Sequence, residues 1–477
     1  MATTAAVGDD APAQVKVLFT TTETDAKLQL PEAKRMLIVP ADTKRYGLSR
    51  ILNSESMLAT DQPVPFDFLV DGAYLRTTLE DYLKESGISS ETTILLQYVR
   101  SLVPPIFEAS FQHDDWVSSV DVSEKHLLSG SYDGLVRLWN KTGHVVATSV
   151  CGTLGHTAAV KSARFVTATH IASAGLDRTV RIWKYSEEED DIMEGETAAT
   201  VLKPLMELYG HKGSIDSLAT DATSKRVLSA SIDGAVGLWS ISKSSAPAAP
   251  ESLLPGASAT VPNKKRKLAS EIPRRGALAL VQAHKSAATA AVFDPRDRTV
   301  AYSVGQDHNL CTLDLTTGHI VSTVATSHSL LSLAAARGGS VLAAGNAARN
   351  IVLIDPRASV ATTAVMTLRG HVNKVSALAA APNNDYSLVS ASHDGTCRIW
   401  DLRSSRKAVD GDSPEGSMTS TSEAVYVIDR DGREGKRPLA GEGVKVFDVN
   451  WSTSWGIVSG GEDKRVQMNR GRNLMQL

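Results

Sequence analysis

The stretch Ser390–Asp401, SASHDGTCRIWD, decides the fold. Small residues lead into His393-Asp394-Gly395, and the alternating segment that follows ends on Trp400, six residues after Asp394. Asp-Gly between two alternating runs is a strong local signal for a tight turn joining antiparallel strands. The same string recurs as SGSYDGLVRLWN (Ser129–Asn140), SAGLDRTVRIWK (Ser173–Lys184) and SASIDGAVGLWS (Ser229–Ser240), each with its Trp six residues after Asp. Weaker copies are SVGQDHNLCTLD (Ser303–Asp314), AGNAARNIVLID (Ala344–Asp355) and SGGEDKRVQMNR (Ser459–Arg470), which makes seven. A unit repeated at this spacing cannot bury its apolar face alone and must stack against its neighbours.

A histidine lies 20 to 23 residues before the Asp in most copies: His113, His156, His211, His284 and His371 precede Asp133, Asp177, Asp233, Asp307 and Asp394. Gly155, Gly210 and Gly370 complete Gly-His pairs. This spacing resembles the WD repeat, in which four short antiparallel strands make one propeller blade. The resemblance implies that His, a strand Ser, the turn Asp and the Trp form a buried hydrogen-bonded set. Here that set comprises Asp133 and Trp139; His156, Asp177 and Trp183; His211, Asp233 and Trp239; and His371, Asp394 and Trp400. A carboxylate in a tight turn needs donors, and imidazole, hydroxyl and indole N–H supply them. Ser, His and Asp together also suggest a hydrolase triad, but a catalytic set does not recur in five copies. Two copies depart furthest from the pattern. Ala348 and Ile354 replace Asp and Trp in the fifth; in the seventh, Glu442 stands where His is expected and Asn469 replaces Trp. Apolar packing is expected to hold those blades.

After Asp463 the chain offers one more strand but not two, so the last blade needs a strand from elsewhere. Ile106–Gln112, IFEASFQ, alternates as a strand and is expected to complete it. Successive Asp-position spacings of 44, 56, 74, 41, 46 and 69 identify three enlarged connections. These are an acidic run at 186–200, an Ala/Pro/Ser-rich excursion at 242–279 and a Ser/Gly-rich segment at 403–423, all expected to be flexible. The second carries Lys264, Lys265, Arg266 and Lys267, which look like a nuclear localisation signal.

A chain of 477 residues, 42% hydrophobic and with a net charge of −3, is long enough for one large core or two smaller ones. It reads as globular, without a membrane span or secretory leader. Cys151, Cys311 and Cys397 are too scattered for a disulfide framework or a metal site, which fits a reducing compartment. The near-neutral charge gives no global attraction to nucleic acid.

Residues 1–14 look disordered, 15–100 form a separate unit, and 101–105 form a short linker ending in two prolines ahead of the propeller at 106–477. In the separate unit, Val15–Thr22 and Arg35–Asp42 alternate as strands and Arg45–Glu55 reads as a helix. Pro65–Arg76 holds two short strands around Asp71-Gly72, Thr78–Gly87 reads as a helix stopped by its glycine, and Thr92–Val99 is the last strand. This ββαββαβ order resembles a ubiquitin-like domain, an α+β unit ahead of a mainly β chain. It runs on into Ser101–Pro105 instead of ending in a free Gly-Gly tail, so it is a docking module and not a conjugated modifier.

A ubiquitin-like domain joined through YVRSLVPP and DDWVSSVDVS to a seven-bladed WD propeller with a basic insertion resembles the Ytm-type ribosome-biogenesis family. The resemblance implies a non-enzymatic nucleolar and nucleoplasmic factor in maturation of the large ribosomal subunit. Its propeller would be held by the Bop protein, beside pescadillo, in the PeBoW assembly. Its ubiquitin-like domain would be gripped by the metal-site domain of midasin, an AAA ATPase that removes it from the precursor particle. In that family an acid before the last strand completes a Mg²⁺ held by midasin, and Glu91 occupies the matching position. The chain would bind no cofactor by itself, no membrane and no small-molecule substrate; direct contact with RNA is left open. Two other readings are a ubiquitin-pathway adaptor and a Notchless-like factor, the latter disfavoured because its propeller has an eighth blade. An enzyme is the weakest reading, since no nucleophile and base stand apart from the repeated set.

Overall fold

Alternation along Gln14–Thr20 sends Val15, Val17 and Phe19 inward, which makes this strand (β1) the centre of a small core. The computed structural model describes residues 13–471 except 24, 61, 90, 151, 187–199, 255–271, 358–363, 408–419 and 431–442. Strand β1 pairs antiparallel with β2 (Met36–Pro40) and parallel with β5 (Ile94–Arg100), and β5 pairs antiparallel with β3 (Phe66–Val70). Together with β4 (Ala73–Tyr74), the sheet order is β2-β1-β5-β3-β4. Helices α1 (Arg45–Leu52) and α2 (Leu79–Ser86) bury Leu48, Leu52, Leu79 and Leu83 against Phe19, Phe66, Phe68 and Tyr98. Tyr98 is buried, accepts from the Leu30 N–H at 3.1 Å and donates to the Leu28 carbonyl at 2.7 Å, so one side chain ties down the turn that connects β1 to β2. The expected order of strands and helices is present. Ordered structure begins earlier than expected, because Gln14 already pairs with Pro40, while residues 1–12 lie outside the described residues.

The rest of the described chain forms seven further sheets of four to six strands. Their inner strands are Val117–Val122, Val160–Thr167, Ile215–Asp221, Ala288–Phe293, Leu330–Ala336, Val375–Ala380 and Val446–Ser452. Each touches the next, and the last touches the first, so the cycle is closed. The closing sheet takes its outer strand from Ile106–Gln112 (β6), which pairs antiparallel with Arg465–Arg470 from Ile106↔Arg470 to Gln112↔Arg465. Phe111 of that strand stacks on Trp139 of the first blade, centroids 5.5 Å apart. The first and last strands of the propeller segment are therefore stitched into one sheet, which removes the free edges an open array would expose. By contacts the chain divides into two compact units, Met1–Val103 with Arg403–Lys407, and Pro104–Leu402 with Ala408–Leu477. No helix among the described residues is long and apolar enough to cross a membrane.

The flanks of the enlarged connections are more ordered than their composition suggests. Thr200–Val201 extends the first blade in parallel with Ala147–Thr148. Arg274–Gly276 adds a parallel strand beside Glu207–Tyr209, Ala248 bridges Arg275, and Ala246 and Ile272 are buried. The cause is a buried acid: Glu207, 3% exposed, accepts from Arg181 at 2.9 Å, Tyr209 at 3.0 Å and Arg274 at 3.4 Å, so the returning end of the excursion carries a required counter-charge. Ser420–Ser422 likewise pairs with Met366–Leu368. Lys264 to Lys267 lie outside the described residues.

Candidate functional site

Glu91 sits in the turn between α2 and β5, and both neighbours of that turn are firmly held. Thr78 caps α2 by accepting from the Asp81 N–H at 3.0 Å. Gly87 ends it at φ 64°, the left-handed conformation that a glycine adopts without strain, and Ile88 N–H returns to the Leu83 carbonyl at 3.0 Å. Ser89 closes the turn, its carbonyl accepting from Thr92 N–H at 3.0 Å and its hydroxyl from Glu91 N–H at 3.3 Å. The backbone of Glu91 is thus fixed while its side chain is exposed, and its carboxylate has no hydrogen-bond or ion-pair partner among the described residues. Among those residues no group of three or more His, Cys, Asp or Glu is placed to hold a metal. Cys311 and Cys397 are buried free thiols. A lone exposed carboxylate suits one role at a metal: adding one oxygen to a hard cation that another molecule holds.

The outer face of the same sheet carries a feature that the sequence reading missed. Leu18 pairs with Met36 on one side and Leu95 on the other, and Lys16 pairs with Ile38. Met36, Ile38 and Leu95 are 52%, 62% and 51% exposed, so an apolar strip crosses three strands on the face away from the helices. Leu95 follows Glu91 by four residues. The signal was available in the alternation: VKVLFT, MLIVP and ILLQYV each place a large apolar residue on the outward phase.

In the propeller, the repeated residues assemble as the spacing predicts in blades two, three and six. His156 Nδ1 meets Asp177 at 2.7 Å, its Nε2 meets Ser173 Oγ at 2.7 Å, and Trp183 donates to the same hydroxyl at 2.7 Å. His211, Asp233, Ser229 and Trp239 repeat this at 2.6 to 3.2 Å, and His371, Asp394, Ser390 and Trp400 at 2.7 to 2.8 Å. The fourth blade keeps His284 between Asp307 and Ser303, each at 2.9 Å, without a Trp. Burial alone would push the Asp177 carboxyl up, but the His156 and Thr179 donors outweigh it and hold it down at about 2. Asp233 and Asp394 are held low against burial in the same way, and burial pushes His371 down.

These sets have the geometry of a Ser-His-Asp triad, and chemistry is excluded by access rather than by distance. Ser173, Ser229 and Ser390 are each 0% exposed, and each hydroxyl already accepts an indole N–H. A nucleophile must be able to meet its substrate, and these oxygens are sealed from solvent.

Two blades depart from the expected pairing. In the first, His113 does not reach Asp133. Arg137 stands between them, donating to Asp133 at 2.6 Å, to Asp114 at 2.8 Å and to His113 Nδ1 at 3.3 Å, while Trp139 still donates to Ser129 at 2.7 Å. Burial, with the Arg137 charge, pushes the His113 imidazole down to about 3. The seventh blade is packed by Trp455, Val458, Val466 and Met468, as expected, but does not rely on apolar packing alone. Arg430, 3% exposed, grips Asp463 through two nitrogens at 2.9 and 2.7 Å and donates to Ser459 Oγ at 2.7 Å, the position the imidazole takes elsewhere.

The central channel encloses a cavity of about 350 Å³. Within it Arg164 pairs with Asp448 at 2.8 Å, and Lys161 donates to the Tyr132 hydroxyl at 2.6 Å. Trp116, Tyr132, His393 and Phe447 pack edge to face or tilted around one mouth at 5.4 to 6.0 Å.

Comparison with known proteins agrees with this architecture. A family described as the NLE (NUC135) domain matches residues 15–83, and the WD domain, G-beta repeat, matches 107–140, 148–184, 202–240 and 362–401. A ribosome biogenesis protein YTM1 from Chaetomium globosum is 57% identical over 98% of both chains. The protein of that name from Podospora anserina is 56% identical over 98% of this chain and 99% of its own, and that from Neurospora crassa 57% over 97% and 98%. Such identity over both the small sheet and the propeller is decisive: the chain belongs to the YTM1 family of ribosome biogenesis proteins.

Proposed function

We propose that this chain is a non-enzymatic assembly factor of the large ribosomal subunit, a two-handed adaptor that one partner holds by the propeller and another pulls by Glu91. The propeller docks on the Bop protein, with pescadillo, in the PeBoW assembly. The ubiquitin-like domain is bound by the Mg-site domain of midasin, which removes the factor from the pre-ribosome. The observation that carries the reading is the Glu91 carboxylate, exposed and unpartnered on a backbone pinned between a capped helix and a central strand. Mg²⁺ held by the partner would supply a charged anchor with a position open to one more oxygen. This chain's own residues do the rest: Ser89 and Gly87 aim the carboxylate, and the strip of Met36, Ile38 and Leu95 offers apolar area beside it. Import through Lys264, Lys265, Arg266 and Lys267 would bring the chain to the nucleus and nucleolus, and a tagged copy with all four changed to Ala is expected to stay cytoplasmic.

Binding of the purified midasin metal-site domain tests the reading. Glu91→Ala is expected to weaken Mg²⁺-dependent binding roughly 100-fold, about 2.7 kcal/mol, with unfolding of the small domain unchanged because the Glu91 carboxylate has no hydrogen-bond or ion-pair partner among the described residues and its backbone bond to Ser89 is kept. Mg²⁺-dependent binding that survives the substitution would refute the assignment.

A further inference from the structure

The fifth blade lacks the tryptophan of the repeated set and the arginine that precedes it by two residues in three other blades. Where blades one, two and six place Arg and Trp two residues apart (Arg137/Trp139, Arg181/Trp183, Arg398/Trp400), it places Val352 and Ile354. Ser327 stands in the position of Gly155, Gly210 and Gly370, and Ala348 in that of the turn Asp. The missing volume is not refilled. A cavity of about 190 Å³ remains, lined by Ser327, His328, Leu330, Asn346, Val352 and Ile354 among others. Leu330 and Ile354 form a fully buried apolar floor, while Ser327 and His328 are exposed at its rim.

Asn346 gives this cavity a chemical preference. In sister blades one Asp oxygen accepts the backbone N–H two residues on, as Asp177 does from Thr179 at 3.1 Å and Asp394 from Thr396 at 2.9 Å, while the other oxygen accepts from His. Asn346 takes over the first task, its Oδ1 accepting from Asn350 N–H at 2.9 Å. That bond fixes which end of the amide is the oxygen, and the nitrogen is left as a donor on a residue that lines the cavity. Asn346 is 2% exposed, and its amide nitrogen has no acceptor among the described residues. A donor at a cavity wall with no acceptor in the protein is available to an oxygen that enters the cavity.

We propose that the cavity is a socket for a tyrosine side chain of a partner protein, with the ring in the space of the missing indole and the phenolic oxygen accepting from Asn346. An apolar cavity of about 150 Å³ suffices for a benzene ring. The sister blades hold an indole against a histidine ring in this place, centroids 5.7 to 6.3 Å apart, so a flat aromatic body matches the walls. Phenylalanine brings no acceptor, and tryptophan brings only a second donor. Tyrosine meets both conditions.

The test uses the full-length chain with its isoleucine, leucine and valine methyls labelled, titrated with N-acetyl-tyrosinamide and, separately, N-acetyl-phenylalaninamide. The expected result is a saturable shift of the Ile354, Val352 and Leu330 methyls by the tyrosine probe, with about five- to tenfold weaker binding of the phenylalanine probe. Ile354→Trp, which fills the socket, should abolish it; Val352→Met should weaken it and serves if the first variant does not fold. Absence of shifts at these methyls, equal affinity of the two probes, or undiminished binding in the filled variant each overturns the proposal. So does binding of free p-cresol without binding of N-acetyl-tyrosinamide, since the socket would then exclude a side chain attached to a backbone.

Discussion

Replacing Arg430 with Met tests the account of the closing blade most directly. Arg430 donates five hydrogen bonds: two to Asp463 at 2.9 and 2.7 Å, two to Ser459 at 2.7 and 3.1 Å, and one to the Arg465 carbonyl at 2.7 Å. Methionine fills a similar volume but satisfies none of them. The loss leaves Asp463 charged in a site that is 18% exposed, and breaking a buried pair from one side costs about 3–5 kcal/mol. The partial exposure of Asp463 places the expected value at the lower end, about 3 kcal/mol. Asp463→Asn on the Met background keeps an oxygen for the Arg465 N–H and removes the stranded charge, so it should recover about 1–2 kcal/mol. The assay is urea unfolding followed by tryptophan fluorescence, with hydrogen exchange localising the loss to Ile106–Gln112 and Arg465–Arg470, the strands that close the ring. A cost below about 1 kcal/mol, or a double variant whose losses add without coupling, would refute the claim that Arg430 replaces the imidazole.

Three further outcomes are expected. Because burial holds His113 at about 3 in the fold, below its ordinary 6.5, its contribution is complete above pH 6.5 and declines as pH falls toward 3; about 1.4 kcal/mol is lost by pH 5.5. His113→Gln should flatten the pH dependence of the urea midpoint between pH 7.5 and 5.5, and an unchanged slope would contradict the assignment. The carboxylates Asp177, Asp233 and Asp394 have depressed values, so their stabilisation is full above about pH 4 and declines as pH falls below it, through about 2 for Asp177 and further down for Asp233 and Asp394; circular dichroism should show cooperative loss of the propeller over that acid range. Tyr98→Phe strands the Leu28 carbonyl and Leu30 N–H in the core and should lower the stability of the small domain by about 1–3 kcal/mol, read as faster exchange of β1 and β5 amides.

The fold was legible because both of its periods are short-range. Alternation in VKVLFTTT and TTILLQYV, and the Asp-to-Trp spacing, report directly which side chains face inward. What escaped depends on partners distant in sequence. Arg430 precedes Asp463 by 33 residues, outside the window in which the histidines were sought, so an arginine in the same physical role went unseen. Arg274 lies at the end of the Ala/Pro/Ser-rich excursion, and only the buried Glu207, 67 residues earlier, makes it a structural residue. At the candidate site the position of Glu91 was legible and its surroundings were not. The apolar strip beside it arises from three strands whose register no single segment reveals.

What the seven blades share is narrower than the motif that reveals them. In every one a side-chain oxygen accepts a backbone N–H in the turn: Asp133 from Leu135, Asp177 from Thr179, Asp233 from Ala235, Asp307 from Asn309, Asn346 from Asn350, Asp394 from Thr396 and Asp463 from Arg465, at 2.8 to 3.3 Å. The histidine and the tryptophan are dispensable, because inner strands already buried by both neighbours supply the packing. The turn N–H is not, because it is held where no other acceptor reaches it. A search for the tryptophan therefore finds four copies, the same four that the WD domain matches. A search for the turn acceptor finds seven, provided it allows the oxygen to come from two residues earlier, as Asn346 does. That shift satisfies the turn of the fifth blade, and it also sets an amide in the wall of the cavity that Val352 and Ile354 line.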